Sequence, residues 1–143
     1  MSDRSTSPAG YSGTPLPRKL GIKPGHRVAL LRAPEAFEPD VLGELPGGVA
    51  VRRSARGPVD VIVSFHTERA DLERRLATLR AMMEPDAGLW IAWPKKASKV
   101  PTDITEDVVR DVALPTGLVD NKVCAIDATW SGLRLVIRKE LRP

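Results

Sequence analysis

The 143-residue sequence is poor in the residues that build redox and metal sites. It contains one cysteine, Cys124, and two histidines. A single cysteine excludes an internal disulfide and is typical of a protein kept in a reducing cytoplasm, so we expect a cytoplasmic location. Two distant histidines and one cysteine do not form a recognisable set of metal ligands, so no metal site is predicted.

Long apolar runs and aromatic residues are also scarce. No run approaches the roughly 20 residues of a membrane span, and the first ten residues, MSDRSTSPAG, lack the apolar core of a secretory signal. We therefore expect no membrane association. Aromatic residues make up 4% of the chain and show no RNA-binding strand pattern. The lysines at positions 95, 96 and 99 still leave nucleic acid open as a partner. The net charge of +4 permits an anionic partner, although solvated arginines and lysines are enough to explain it.

The sequence does contain alternating strand-like and helix-like segments. Residues 1–13 are small and polar and are expected to form a disordered tail, which leaves one α/β domain over residues 14–143. Six strands are predicted, at residues 26–31, 48–53, 59–65, 89–93, 122–128 and 133–138. Helices are predicted at residues 15–20, 39–45 and 68–83, and a further helix opens at Asp103, with Glu106 three residues on as in a capping box.

The helix predicted at residues 68–83 carries the strongest local signal. Its apolar stripe has spacings of four, three and four and consists of Leu72, Leu76, Leu79 and Met83. Thr67 is its predicted cap, and Asp71 is expected to pair with Arg75 on the solvent side. A turn is predicted at residues 84–88, and another at residues 130–132 joins the last two strands as an antiparallel hairpin. Alternation of strands and helices predicts an α/β fold with a mostly parallel sheet.

The stretch VDVIVSFHTERADLERRLATLRAMMEPDAGLWIAWPKK looks like the middle of a class I methyltransferase domain. LGIKPGHRVALL is similar to the entry into the first strand of that fold, and the closing hairpin is similar to its last two strands. The resemblance covers about residues 15–138 and lies in the order of elements, so it implies a fold and no activity. It implies a three-layer, Rossmann-like sheet of about six strands in the order 2-1-3-4-6-5, with strand 6 antiparallel.

Three departures from the methyltransferase pattern argue against binding of S-adenosylmethionine, and we expect no cofactor. The glycine-rich turn after the first strand is replaced by Arg32-Ala33-Pro34-Glu35, whose side chains obstruct a close approach of the backbone to a ligand. Arg52 and Arg53 stand where a carboxylate would hold the ribose hydroxyls. The interval from residue 53 to residue 59 is too short for a further helix and strand, so the wall that would hold the adenine is missing.

A second resemblance is to a group of short bacterial proteins classed together as a domain of unknown function. It is carried by three stretches, YSGTPL at residues 11–16, WPKK at residues 93–96 and WSGLR at residues 130–134. This resemblance implies the same reduced, methyltransferase-like fold and no activity.

Ligands of open parallel sheets bind at the carboxyl ends of the strands. Those ends carry several cations, an imidazole and an indole, which suit an anionic ligand with a ring stacked on the indole. We predict a binding rim there, although the same residues also fit a solvated edge. The predicted rim residues are Arg32, Glu35, Arg53, His66, Trp93, Lys95 and Lys96.

No catalytic residue is assigned from the sequence. Glu35 and His66 form an acid–base pair only if the loops bring them together. Ser64 lacks the glycines of a nucleophile elbow, which argues against a hydrolase. Cys124 has apolar neighbours in a strand and is expected to be inert. The leading hypothesis is a non-catalytic binding or regulatory module for an anionic small molecule or a protein partner. The alternative is a small transferase with an atypical nucleotide-cofactor site, and a homo-oligomer formed through the terminal hairpin is a third possibility.

Overall fold

Six strands and three α-helices alternate along residues 14–143, the part of the chain that the computed structural model describes. The strands are β1 (Arg27–Leu31), β2 (Ala50–Arg52), β3 (Val59–Phe65), β4 (Met83–Pro94), β5 (Leu118–Ala125) and β6 (Trp130–Ile137). The helices are α1 (Leu16–Lys19), α2 (Arg69–Ala81) and α3 (Glu106–Ala113). A π-helical turn at Phe37–Leu42 replaces the helix predicted at residues 39–45. The predicted tail, residues 1–13, lies outside the described residues.

The strands form one mixed sheet in the order β2-β1-β3-β4-β6-β5. The pairs β1–β2, β1–β3 and β3–β4 are parallel, whereas β6 runs antiparallel to both β4 and β5. The predicted α/β class, strand order and antiparallel hairpin are therefore confirmed. None of the helices in residues 14–143 has the length and apolar character needed to cross a membrane.

Apolar side chains fill both faces of the sheet. On one face, α2 contributes Leu72, Leu76 and Leu79, which are at most 2% exposed, to a core shared with α3. The opposite face carries a second core beneath α1 and the π-helical turn, centred on the fully buried Trp90. Burying one such large apolar side chain stabilises the fold by about 1.5–3 kcal/mol. Side chains alternate along β3, so Ile62 and Ser64 face α2 while Val61, Val63 and Phe65 face the opposite core.

The turn predicted at residues 84–88 is part of β4 instead. Between the pairs Val59–Met83 and Val61–Gly88, β3 advances two residues while β4 advances five. The extra residues of β4 form a bulge whose Glu84 accepts a 2.6 Å ion-pair hydrogen bond from Arg27. A bulge keeps a strand paired on both sides of an insertion, which is why the Pro and Gly in this segment do not end the strand.

The first turns of α2 and α3 are capped by other residues than those predicted. Helix α3 begins at Glu106, and the hydroxyl of Thr105 accepts a hydrogen bond from the Val108 amide at 3.2 Å. Asp103, the predicted cap of α3, instead accepts a 2.7 Å hydrogen bond from the amide of Arg69 at the start of α2. The predicted cap Thr67 makes no side-chain cap bond to α2. A residue distant in sequence thus satisfies an amide that α2 itself leaves unpaired.

The hairpin turn lies earlier than predicted, at residues 126–129, and Trp130 already belongs to β6. The Asp127 carboxylate accepts hydrogen bonds from the amides of Thr129 and Trp130, both at 2.8 Å. Such a carboxylate-to-backbone pair favours a tight turn without glycine.

Candidate functional site

The sheet changes direction of winding between β1 and β3, because β2 lies outside β1 and β4 lies outside β3. In open α/β sheets, ligands bind in the crevice outside the carboxyl ends of the two strands at such a switch point. Here the crevice is bordered by the loop after Leu31 and by the residues after Phe65. The side chains in this crevice therefore determine which ligands can bind there.

A chain of four hydrogen-bonded side chains fills the α2 side of this crevice. We call Ser64, His66, Asp71 and Arg32 the buried polar chain. The Ser64 hydroxyl lies 2.7 Å from His66 Nε2, and His66 Nδ1 lies 2.7 Å from Asp71 Oδ2. Arg32 completes the chain by donating from Nη1 to Asp71 Oδ2. The buried polar chain thereby connects the end of β3, the first turn of α2 and the loop after β1.

The surroundings of the buried polar chain determine which of its groups carry protons. Burial lowers the pKa of His66, against the hydrogen bond and charge of Asp71 that raise it. Burial opposes ionisation of Asp71, but hydrogen bonds from Arg32 and His66 outweigh it and lower the pKa of this carboxyl. A neutral imidazole beside a carboxylate must carry its proton on Nδ1, because the carboxylate can only accept. Nε2 then accepts from the Ser64 hydroxyl.

The order of these atoms is that of a serine hydrolase, but the serine is out of reach of a substrate. Ser64 lies within β3 at 1% exposure and His66 at 2%. A nucleophile must approach a reacting carbonyl to about 3 Å, and nothing outside the protein can come that close to this hydroxyl. In this conformation the buried polar chain is a structural connection.

The loop after β1 is held in a conformation that usually requires glycine. Arg32 has a φ of 61°, which costs a residue with a Cβ roughly 1–2 kcal/mol. Its ion pair with Asp71 anchors the guanidinium over the crevice, although the side chain is still 46% exposed. An arginine side chain and charge therefore occupy the position where the sequence lacks the glycine-rich turn.

Three aromatic rings close the opposite side of the crevice. Phe65, at the end of β3, makes edge-to-face contacts with Phe37 at a centroid distance of 5.1 Å and with Trp130 at 5.0 Å. Both phenylalanines are at most 2% exposed. Such edge-to-face pairs add about 0.5–1.5 kcal/mol each beyond their apolar burial. Both sides of the crevice are thus filled by side chains of the protein itself.

The predicted rim residues do not form one cluster. Arg53 makes a two-bond ion pair with Glu38, at 2.8 and 2.6 Å. Glu35 is exposed and has no hydrogen bond to His66, so the two do not form an acid–base pair here. β2 and β4 are separated by two strands, which at about 4.8 Å per strand puts their ends roughly 14 Å apart. Arg53 is therefore remote from Lys95.

The remaining rim residues lie at or just after the ends of β3 and β4. Trp93 is 7% exposed and packs in the core beneath α2 and α3, and His66 is buried in the polar chain. Lys95 is half-buried and Lys96 is exposed. Neither lysine forms an ion pair with a carboxylate within residues 14–143.

Two other lysines, which the sequence did not single out, act together with Lys95 on one partly buried thiol. We call Lys19, Lys95 and Lys122 the lysine cluster, since the charges of all three act on the thiol of Cys124. Burial raises the pKa of Cys124 despite these charges, which keeps the thiol protonated and unreactive. The ammonium of Lys19 donates to the carbonyl of Ala125 at 3.3 Å. These lysines come from α1, from β5 and from the residue after β4, so spacing along the sequence does not indicate that they act on one thiol.

Comparison with known proteins gives matches in structure only. No family model matches the chain, and a search of the curated proteins gives no match. Among solved structures, a SAM dependent methyltransferase from Aquifex aeolicus has a TM-score of 0.65 at 17% identity, over 84% of this chain and 86% of that chain. This chain has a methyltransferase-like fold.

Two further solved structures show how wide the likeness is. The fibrillarin pre-rRNA processing protein of Methanococcus jannaschii has a TM-score of 0.58 at 11% identity, over 90% of this chain and 71% of that chain. Magnesium protoporphyrin IX methyltransferase from Synechocystis, solved with bound SAH, has a TM-score of 0.54 at 11% identity, over 81% and 75% of the two chains. At these identities the likeness is one of fold, and the function has to be argued from the site.

Proposed function

We propose that this chain is a non-catalytic binding or regulatory module of the cytoplasm, in which a methyltransferase-like frame presents a site for an anionic ligand. One observation carries the proposal. The crevice where this fold class binds its ligands is filled by the buried polar chain on one side and by three packed aromatic rings on the other. A ligand in the crevice would have to displace groups that are bonded to one another.

The residues around the crevice do not fit S-adenosylmethionine. Arg32 and its ion pair to Asp71 stand where backbone amides would approach the ligand. The carboxylate of Glu38, which lies beside the end of β2, is engaged by Arg53 and is not free to accept ribose hydroxyls. The chain from Arg53 to Pro58 contains no helix or strand that would cover an adenine.

The anion is proposed to bind at the lysine cluster and the adjacent Lys96. The charges of the lysine cluster act on Cys124, next to the last residue of β5, and neither these lysines nor Lys96 have a carboxylate partner in the described part of the chain. Arg32 and Arg53 are less suited to a ligand because Asp71 and Glu38 already neutralise them. An ammonium without a partner loses no existing ion pair when it binds an anion.

Titration with inorganic phosphate, ADP and a short single-stranded oligonucleotide tests this proposal. Changing Lys95→Glu and Lys96→Glu together is expected to weaken binding of any of these anions at least tenfold. Lys139→Glu, a lysine-to-glutamate change after the opposite end of β6, is the control for each single substitution and should leave binding within about twofold. Absence of anion binding, or binding that survives the double change, would contradict the proposal.

A small transferase with an atypical nucleotide-cofactor site is the second candidate. Two of the structural neighbours named above favour it, because they are methyltransferases and one of them holds SAH. The filled crevice favours the first candidate. Thermal unfolding in the presence of S-adenosylmethionine or S-adenosylhomocysteine separates the two, since a ligand at 100 times its Kd stabilises the folded state by about 2.7 kcal/mol. Saturable stabilisation by either compound would support the transferase and overturn the first proposal.

A further inference from the structure

A groove of about 890 Å³ lies on the side of the sheet that carries α1. Its walls are α1 with the loop that follows it, the π-helical turn with its exit segment, and the end of β5. Its apolar lining consists of Leu16, Ile22, Val41, Leu42, Leu45 and Ile126. This volume and apolar lining are typical of sites for small organic molecules.

The polar groups of the groove are mostly cationic. Arg18, Lys19 and Lys23 line it, against one carboxylate, that of Glu44. None of these three cations forms an ion pair within residues 14–143. The groove therefore combines an apolar surface with an excess of positive charge.

Lys19 connects the groove to the lysine cluster. Its ammonium is held against the carbonyl of Ala125, which is itself a groove residue and directly follows Cys124. Lys95 and Lys122 act on the same thiol. At the β5 end of the groove, the apolar lining therefore meets the ammonium of Lys19.

From this arrangement we infer, resting on the proposed function, that the ligand is an amphipathic anion, with an apolar body in the groove and its negative group at Lys19. A small hydrated anion would gain nothing from the apolar lining, and a neutral apolar molecule would gain nothing from the ammonium groups. An aliphatic carboxylate satisfies both, since each methylene buried in the groove should raise the affinity up to about fourfold. The negative group would replace Ala125 as an acceptor for the Lys19 ammonium.

A chain-length series tests the inference. Calorimetric titration of the full chain with acetate, hexanoate, octanoate and decanoate, each below its micellar concentration, should show affinity rising at least tenfold from hexanoate to decanoate. Lys19→Glu should weaken octanoate binding at least tenfold and leave binding of 1-octanol within about twofold. Val41→Trp fills the groove and should weaken both probes, with Leu45→Trp as a second filling variant if the first fails to fold. Lys139→Glu is the charge-matched control.

The outcomes separate this inference from the proposed function. Phosphate binding that is lost in the Lys95→Glu/Lys96→Glu protein, with no dependence on carboxylate chain length, would overturn the amphipathic ligand and leave the anion module standing. Failure of every anion to bind would overturn both. Decanoate binding only after deletion of residues 1–13 would mean that the chain's own N-terminal segment occupies the groove, and this too would overturn the inference.

Discussion

Nδ1 of His66 lies 2.7 Å from Oδ2 of Asp71, and both side chains are withdrawn from solvent at the point where β3 passes into α2. The same carboxylate receives Arg32 from the loop after β1. One buried acceptor thus connects three segments that would otherwise border an open crevice. The stability of the protein and the closure of the crevice should therefore depend on the same group.

Replacing the carboxylate tests its structural role. Asp71→Asn removes the charge that pairs with Arg32 and orients His66, so we expect a loss of about 2 kcal/mol in the free energy of unfolding. Asp111→Asn, the same change at an exposed residue of α3, should stay within about 0.5 kcal/mol of the wild type. Urea unfolding followed by circular dichroism measures both, and equal midpoints for the two variants would refute the role assigned to Asp71.

Stability should fall when the pH drops below about 6.5. The pKa of His66 is lowered in the folded state, so below the unfolded value of about 6.5 the unfolded chain binds a proton that the folded chain does not. Unfolding is then favoured progressively as the pH falls from 6.5 toward the lower folded pKa. The lowered pKa of Asp71 adds a further loss of the same sign below about pH 3.8.

Urea midpoints between pH 7.5 and pH 5 measure this slope. His66→Gln should flatten it, because the titrating imidazole is gone. The same change at the other histidine, His26, is the matched control and should leave the slope in place. A slope that disappears in the His26 variant and persists in the His66 variant would contradict the assignment.

Gly132 is required by packing against the core of the α1 face. A Cβ at this position would lie 2.9 Å from Ile126 Cδ1 and 3.1 Å from Trp90 Cε3. We expect Gly132→Ala to destabilise the protein by about 1–3 kcal/mol, because buried Trp90 and Ile126 cannot both move away. Gly47→Ala, where a Cβ meets nothing within 4 Å, is the control. Thermal unfolding measures both variants, and an equal loss of stability in the two would argue against overpacking as the cause.

The long-range cap of α2 gives a further prediction. Asp103→Ala removes the acceptor for the Arg69 amide and should cost about 0.5–2 kcal/mol, with faster hydrogen exchange in the first turn of α2. Asp86→Ala, at an exposed position in the β4 bulge, is the control. If exchange instead quickened in the first turn of α3, Asp103 would be acting as the sequence alone suggests.

The positions of the strands could be predicted from the sequence because they depend on periodicity, whereas their order was implied by the resemblance to a methyltransferase domain. β3 was placed at its observed bounds, since seven mainly apolar residues between turn signals leave little choice. The bulge in β4 could not be predicted, because Pro85, Asp86 and Gly88 are the residues that usually make a turn. Only the partner strand decides that the segment remains paired.

The side-chain contacts of the site were harder to predict from the sequence. Ser64 and His66 stand two residues apart in a strand, which puts them on one face, but nothing local indicates that Asp71 turns inward instead of pairing with Arg75. Trp93 is predicted in the rim because it stands at the carboxyl end of a strand, whereas its side chain packs into the core. The ion pair of Arg53 with Glu38 and the lysine cluster both join residues from separate elements.

Calorimetric titration of the purified full chain with S-adenosylhomocysteine tests whether side chains of the protein itself occupy the crevice where this fold class holds a methyl donor. A filled crevice predicts no saturable heat, which corresponds to a Kd weaker than about 1 mM. Saturable binding at micromolar concentration that is lost on changing Ala33 to Trp, in the loop after β1, would place the donor in the crevice and show that the crevice is open.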